Sequence, residues 1–426
     1  MAQSLINAFF FFKLSIFLSF LLPVSLIFSR FAAELIVLEI CIFFLIKIFT
    51  NKEFYYFKNK LFYIFIFFWS ILLMSSIFSD NIIHSLKTTV PYLRFGIFSL
   101  GIFYFIKNDK NYIKYFFISL LLTIIFILFD SYIQLFFGYN LLGYKKFSEN
   151  IITSFFHQKI ILGSYLIRLS SLLIALYYFY KPNNNYILIL FFLIIEPMIY
   201  FSGSRTPFYL SLILILALIA FVKFDKKVFV SFLICFFIIG FSFYKENSEY
   251  KERMYNDLID NYKKFKPKEL DLNSQYKYIH FLFLSPGHTG LWITSLNMFN
   301  DKKLLGHGPQ SFRLKCNYPK YKTPIFNCST HSHNFMFQLL AETGILGFFG
   351  YIIIFILIIR NFVINIFERF YKNVKLDLFK TFLLLSFFIN FFPLFPNGNF
   401  FNNWLNILMY LPFGFLLYKS ELKNKR

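Results

Sequence analysis

The chain has 426 residues, of which 58% are hydrophobic and 24% aromatic, with only 15% charged. A soluble protein of this length would bury one or two cores beneath a far more charged surface, so composition excludes that class. The net charge of +22 would suit nucleic acid, but its placement excludes that partner as well. The cations fall in short connections between apolar runs, where the positive-inside bias of membrane proteins puts them.

Apolar runs of about 20 residues recur along nearly the whole length, enough at 1.5 Å per helical residue to cross a bilayer. In lipid each such run must satisfy its own backbone, so each is expected to be a helix. In chain order we place about twelve spans, at 7–28, 31–49, 61–79, 86–106, 115–137, 158–180, 185–201, 207–222, 228–244, 334–359, 377–394 and 404–418. No small-residue cleavage site follows the first run, which therefore reads as an uncleaved span. The exits from even-numbered spans are rich in cations: Lys52, Lys58 and Lys60; Lys107, Lys110 and Lys114; Lys181; Lys223, Lys226 and Lys227; Arg360, Arg369, Lys372 and Lys375. The opposite short connections hold only Arg30, Lys87, Lys145, Lys146 and Arg205. This asymmetry implies an even number of spans with both termini in the cytoplasm.

Residues 245–333 break the pattern as one long, polar, outward segment, and a loop of that length is usually functional. The expected organisation is one membrane domain: spans over 1–244, the large outer loop over 245–333 and the last spans over 334–426. Within the loop, Tyr244 to Lys266 reads as an amphipathic helix, and 289–300 as an interfacial one with Trp292 as its anchor. Cys41 and Cys235 sit inside spans as small apolar residues. Cys316 and Cys328 have eleven residues between them on the outer face, where an oxidising compartment would join them as a disulfide. Zinc held with His331 and His333 is the rival reading, although the spacing fits no familiar zinc pattern.

The loop ends in Cys328-Ser329-Thr330-His331-Ser332-His333-Asn334. An imidazole at a helix start can exchange a proton near neutral pH, and the free N–H groups there can face an anion. Gly344 and Gly347, one turn apart, form a smooth strip for a neighbouring helix; a capped helix with a packing face is the plainer reading, and it stays open. Upstream, Gly306 and Gly308 punctuate a turn that lets backbone approach a ligand. Arg205 follows Ser202-Gly203-Ser204 where the seventh span emerges outward, while Arg94 and Arg168 fall inside spans four and six near the outer face. Intramembrane arginine needs a cavity or a partner. Glu34, Glu39, Asp130 and Glu196 are available as partners; alternatively the arginines converge on an anionic substrate, for which the guanidinium fork is suited.

His333-Asn334, nine further residues and then Gly344-x-x-Gly347 resembles the signature of the O-antigen ligase/polymerase (Wzy-like) superfamily. Gly306-x-Gly308-Pro309-x-x-Phe312, the Ser202-Gly203-Ser204-Arg205 exit and the long outer loop are similar to it too. The resemblance implies an all-α, GT-C-like polytopic protein of the bacterial inner membrane, with short helices in a periplasmic loop that carries the active site. It implies inverting glycosyl transfer with no metal or other cofactor. The donor would be a glycan on undecaprenyl diphosphate, and the acceptor a lipid A–core sugar for a ligase or a lipid-linked repeat for a polymerase. On this resemblance His333 acts on the acceptor hydroxyl and Arg205 holds the diphosphate, with Asn334, Gly306 and Gly308 in the substrate-binding region. The sequence departs from the family at His288, four residues before Trp292, where the family often has arginine; Arg313 is the candidate substitute, and Arg94 and Arg168 could line the same cavity. A glycolipid flippase or transporter is the reading from another class, and it would need charged residues along a path through both leaflets.

Overall fold

The computed structural model describes residues 2–180, 185–222, 230, 286–322, 328–372 and 376–424. The described residues are helical apart from turns and two isolated bridges. In chain order the helices are α1 (Ala2–Phe28), α2 (Arg30–Asn51), α3 (Lys60–Ile77), α4 (Ile82–Asn108), α5 (Tyr112–Phe137), α6 (Leu162–Phe179), α7 (Tyr186–Phe201) and α8 (Arg205–Phe221). They continue with α9 (Pro286–Asp301), α10 (Phe312–Lys315), α11 (Phe335–Phe370), α12 (Leu378–Asn390) and α13 (Asn403–Asn424).

Helices thus stand at eleven of the twelve expected span positions. The ninth, 228–244, and the amphipathic segment from Tyr244 to Lys266 lie outside the described residues, Val230 excepted. Six helices are long and apolar enough to cross a membrane, namely α1, α3, α4, α5, α6 and α11, and α7, α8 and α12 are shorter apolar helices. Helix α2 has the length, but Arg30, Glu34, Glu39 and Lys47 raise its charge. Helix α11 runs eleven residues beyond its expected end at 359, because Arg360 and Arg369 sit on the helix and do not end it. Arg369 there donates to the carbonyl of Phe221, which closes α8 (2.5 Å), a cationic cap on a C-terminal carbonyl.

Sequence sets the helix starts. Ser29 accepts from Ala32 N at the head of α2, Asn59 from Leu61 N at α3 and Asn81 from His84 N at α4, each supplying a partner to an orphan N–H. Helix α4 is buried over most of its length, packed against α2, α3 and α13, while α6 packs against α12. Outward-facing Phe67, Phe129, Phe136 and Ile353 are exposed, which suits a surface solvated by lipid and not by water.

Helix α11 is not continuous. Gly344 has φ 62 and ψ −161 inside it, so it is two helices joined at a break. Gly344 was expected to be part of a smooth strip for a neighbouring helix; instead loop backbone docks into the break. Ile345 N donates to Lys303 O (2.8 Å), His307 N to Ala341 O (3.1 Å) and Gly308 N to Glu342 O (2.7 Å). The interruption frees carbonyls and N–H groups that the loop then satisfies. A Cβ on Gly306 would lie 2.5 Å from Glu342 C and 2.6 Å from Gly344 N, and one on Gly344 would lie 2.7 Å from Gly306 N. Both residues also have positive φ. Gly306→Ala or Gly344→Ala should therefore cost about 3 kcal/mol through backbone strain plus overlap. Thermal unfolding in detergent, read beside protein level, checks this; an unshifted transition in both variants would count against the docking.

Candidate functional site

The start of α11 organises the site. Asn334 is its N-cap, accepting from Met336 N (2.8 Å) and Phe337 N (3.3 Å) while its amide donates to Pro393 O (2.9 Å). The same side chain thus fixes the helix and the loop between α12 and α13. The preceding residue, His333, takes φ 55, a conformation that a residue with a side chain adopts only when its surroundings impose it. Its carbonyl accepts from Asn397 N (2.7 Å), so the loop holds His333 from the backbone side and leaves the imidazole pointing elsewhere.

Helix α9 supplies the next wall. Trp292, expected as an interfacial anchor, is fully buried; it stacks on Phe337 at 4.8 Å between ring centroids and donates to Ser332 O (2.8 Å). One turn earlier, His288 lies 5.6 Å from the His333 ring, and His331 lies 4.0 Å from it. Arg205 is the first residue of α8, and its neighbour Thr206 donates to Pro396 O (2.9 Å), tying that helix start to the same loop.

These elements enclose a cavity of about 880 Å³, within the range of ligand sites. Its wall holds four arginines (Arg30, Arg168, Arg205, Arg313) and three histidines (His288, His331, His333), and no Asp or Glu among the described residues. Burial lowers the pKa of His333. Burial, with His333 and Arg205 nearby, takes His288 down to about 4, and burial beside His333 takes His331 down to about 3. All three imidazoles are therefore neutral at pH 7, and the positive charge of the cavity is carried by guanidinium alone.

The structure brings together five of the residues singled out from the sequence: Arg168, Arg205, His288, Arg313 and His333. It does not bring four others to the cavity wall. Asn334 is spent on the helix cap, and Gly306 and Gly308 are spent on docking at the α11 break. Arg94 pairs with Glu34 (2.8 Å). Arg168 has no carboxylate partner among the described residues. It donates to Ser164 Oγ (3.1 Å), to Asn390 Oδ1 (3.0 Å) and backbone carbonyl (3.1 Å), and to Asn397 Oδ1 (3.4 Å), so its charge is left for the cavity. Asp130 instead accepts from Ser154 Oγ and Leu141 N, Glu196 from Ser211 Oγ, and Glu39 from Ser15 Oγ.

Sequence reasoning missed Arg30, His331 as a wall residue, and the asparagines of the loop after α12. The available signal was the run Asn390 to Asn403, where asparagine, glycine and proline interrupt an apolar stretch. It also gave no role to Glu342 in the helix after the loop, a buried carboxylate that accepts from Phe312 N (3.0 Å) and Gln338 Nε2 (3.0 Å). Gln338 in turn donates to Asn399 Oδ1 (2.9 Å) and accepts from Phe400 N (2.9 Å). This chain of bonds joins the glycine turn, α11 and the α12–α13 loop into one scaffold.

Two further ties hold the outer loop in place. Asp80, in the α3–α4 turn, accepts from Lys302 and Lys315. Cys316 and Cys328 are joined as a disulfide with Cα atoms 5.2 Å apart, which takes both thiolates out of any zinc ligand set. Cys316→Ser should cost about 2–4 kcal/mol, the usual worth of closing a short loop. Thiol labelling of the denatured, unreduced protein should find neither Cys316 nor Cys328; labelling of both would remove the bridge from the account.

Residues 187–352 match the family model described as O-Antigen ligase. No curated protein matches the chain. The matched segment includes Arg205, His288, Arg313 and His333; Arg30, Arg168 and the α12–α13 loop lie outside it.

Proposed function

From the premise that this chain is, through residues 187–352, a member of the O-antigen ligase/polymerase superfamily, we propose that it is a ligase. It moves a glycan from undecaprenyl diphosphate to a lipid A–core sugar on the periplasmic side of the inner membrane. The observation that carries this reading is the composition of the cavity: four guanidiniums and three neutral imidazoles with no carboxylate in the wall. Such a wall suits a diphosphate beside a group able to accept a proton.

In the proposed step the acceptor hydroxyl attacks the anomeric carbon of the donor sugar, the bond to the diphosphate oxygen breaks, and configuration inverts. His333 takes the hydroxyl proton. Arg205 meets the charge that grows on the departing diphosphate, in a position fixed before reaction by the Thr206–Pro396 tie. Arg168 adds charge from a rigid hydrogen-bonded mount, and Arg313, on the same wall, is the candidate substitute for the family's second loop arginine. The reading needs no metal, because the guanidiniums supply the positive charge at the leaving group.

The orientation rests on the charge count. Arg30, Arg205, the large loop and the α12–α13 loop all belong to the connections poor in short-loop cations, which supports a periplasmic cavity and cytoplasmic termini. Residues 245–333 are then a periplasmic loop within one membrane domain. Polymerisation, in which a second lipid-linked repeat is the acceptor, uses the same donor and the same cavity. A flippase is less well supported, since the cavity gathers its cations in one place and not along a path.

Deleting the gene in its host and resolving the surface glycolipid tests the choice. Loss of all O-antigen from lipid A–core, with long chains retained on undecaprenyl diphosphate, is the expected result. Lipid A–core capped with a single repeat would replace ligase by polymerase, and an unchanged glycolipid with confirmed expression of the complementing gene would overturn both.

A further inference from the structure

A second chamber of about 360 Å³ adjoins the cavity, and its walls differ in chemistry. The two share Arg30, Arg313, Asn399, Asn402 and Trp404, so they lie side by side. The smaller chamber adds Phe31, Phe401 and Gln310, together with one carboxylate, Glu34.

Resting on the glycosyl-transfer reading above, we propose that this chamber is the acceptor-sugar subsite, taking an uncharged, hydroxyl-rich ring whose nucleophilic hydroxyl faces the larger cavity. The hydrogen-bond orientation of its side chains supports this. Asn402 Oδ1 is used on Leu405 N (3.2 Å), and Asn399 Oδ1 is used on Phe401 N (2.8 Å) and Gln338 Nε2 (2.9 Å). Both amides are thereby fixed with their NH₂ groups left to donate, and neither NH₂ has a protein acceptor among the described residues. Glu34 is already engaged: its Oε2 is held by Arg94 (2.8 Å), and Asn403 also bonds its carboxylate. The free amide donors match sugar hydroxyls, which accept as well as donate. Trp404 is fixed by its donation to Leu26 O (2.9 Å), and the exposed ring of Phe31 is available to the apolar side of a sugar. Of the four arginines of the larger cavity this chamber shares only Arg30 and Arg313, which makes it the poorer place for a diphosphate.

Arg30 sits on the border between the two. It is the first residue of α2, where the helix dipole disfavours a cation, and it has no ion-pair partner among the described residues. The bound sugar and the neighbouring diphosphate together supply the oxygen acceptors its guanidinium lacks.

The test is Asn402→Asp in the full-length protein, purified in detergent. Aspartate keeps the helix cap on Leu405 N but removes the NH₂ donor. Transfer from the undecaprenyl diphosphate-linked repeat is measured against two acceptors separately: lipid A–core from a strain lacking this gene, and a second lipid-linked repeat. For whichever acceptor the wild type uses, acceptor KM should rise about 10-fold, with donor KM within 2-fold of wild type. Phe31→Ala, which removes an exposed ring and leaves the core intact, should raise acceptor KM in the same direction and keeps the test alive if the aspartate variant is unstable. A wild type active on one acceptor, with acceptor KM unchanged in both variants or with donor KM raised instead, overturns the subsite and leaves the transferase reading standing. A wild type inactive on both acceptors overturns the transferase reading, and the subsite with it.

Discussion

Replacing His333 with asparagine should lower glycan transfer by about 10²- to 10⁴-fold, the usual worth of a positioned general base, with protein level unchanged. Asparagine is the sharper choice over alanine, because it tolerates positive φ better than most residues and His333 has φ 55. The backbone bond from Asn397 N to its carbonyl survives the change, so the loop stays in place while the base is lost. The pH profile gives a second handle. Burial holds the His333 imidazole below its ordinary value of 6.5, so the neutral, proton-accepting form persists at pH 7 and is lost only as pH falls below that value. Transfer should therefore be flat through neutral pH and decline on the acid side, and the declining limb should be absent from the residual activity of the variant. Near-wild-type transfer by the His333→Asn protein at equal abundance would rule out His333 as the base.

His288 and His331 do not offer themselves equally for that role. Both are neutral, but their values near 4 and 3 make them weaker bases than His333 at the same pH, and His331 Nδ1 already meets Thr330 Oγ1 (2.9 Å). The charge repulsion runs from His333 to them: with burial, it holds His288 and His331 below their ordinary value. Three imidazoles within contact distance cannot all charge, so the cluster favours a proton acceptor over a fixed cation.

The helical membrane architecture could be read from the sequence because each span must satisfy its own backbone and so announces itself as an apolar run. The site was legible where residue type and local position coincide: His333 before a helix, Arg205 at a span exit, His288 one turn ahead of Trp292. It was illegible where a residue's role depends on a distant partner. Arg94 and Arg168 look alike in the sequence, each a lone arginine in an apolar helix. A carboxylate at Glu34 absorbs the first, while amides at Asn390 and Asn397 leave the second with its charge. Glycine at 344 reads as a packing residue, and only the backbone of Lys303 to Gly308 lying across it shows a helix break. Arg30 counts as one cation in a topology sum, and only the structure puts it on the cavity wall beside the α12–α13 loop.

Arg205→Ala should reduce transfer by about 10²- to 10³-fold, the scale seen when one preorganised donor to a developing negative charge is removed. The division between kinetic constants decides what Arg205 does. If it meets charge that appears only as the diphosphate departs, kcat falls and donor KM changes little; if it simply grips the ground-state diphosphate, donor KM rises and kcat is kept. The structure favours the first outcome, because three other guanidiniums line the same cavity and can retain the donor. Arg205 is distinguished from them by its seat: it opens α8, so the positive end of a helix dipole adds to its charge at the cavity wall. Arg205→Lys preserves the charge but replaces the two-pronged fork with a point donor, and should recover part of the loss. Equal kcat in the alanine variant and the wild type, with only donor KM altered, would move Arg205 from the leaving group to the binding of the donor.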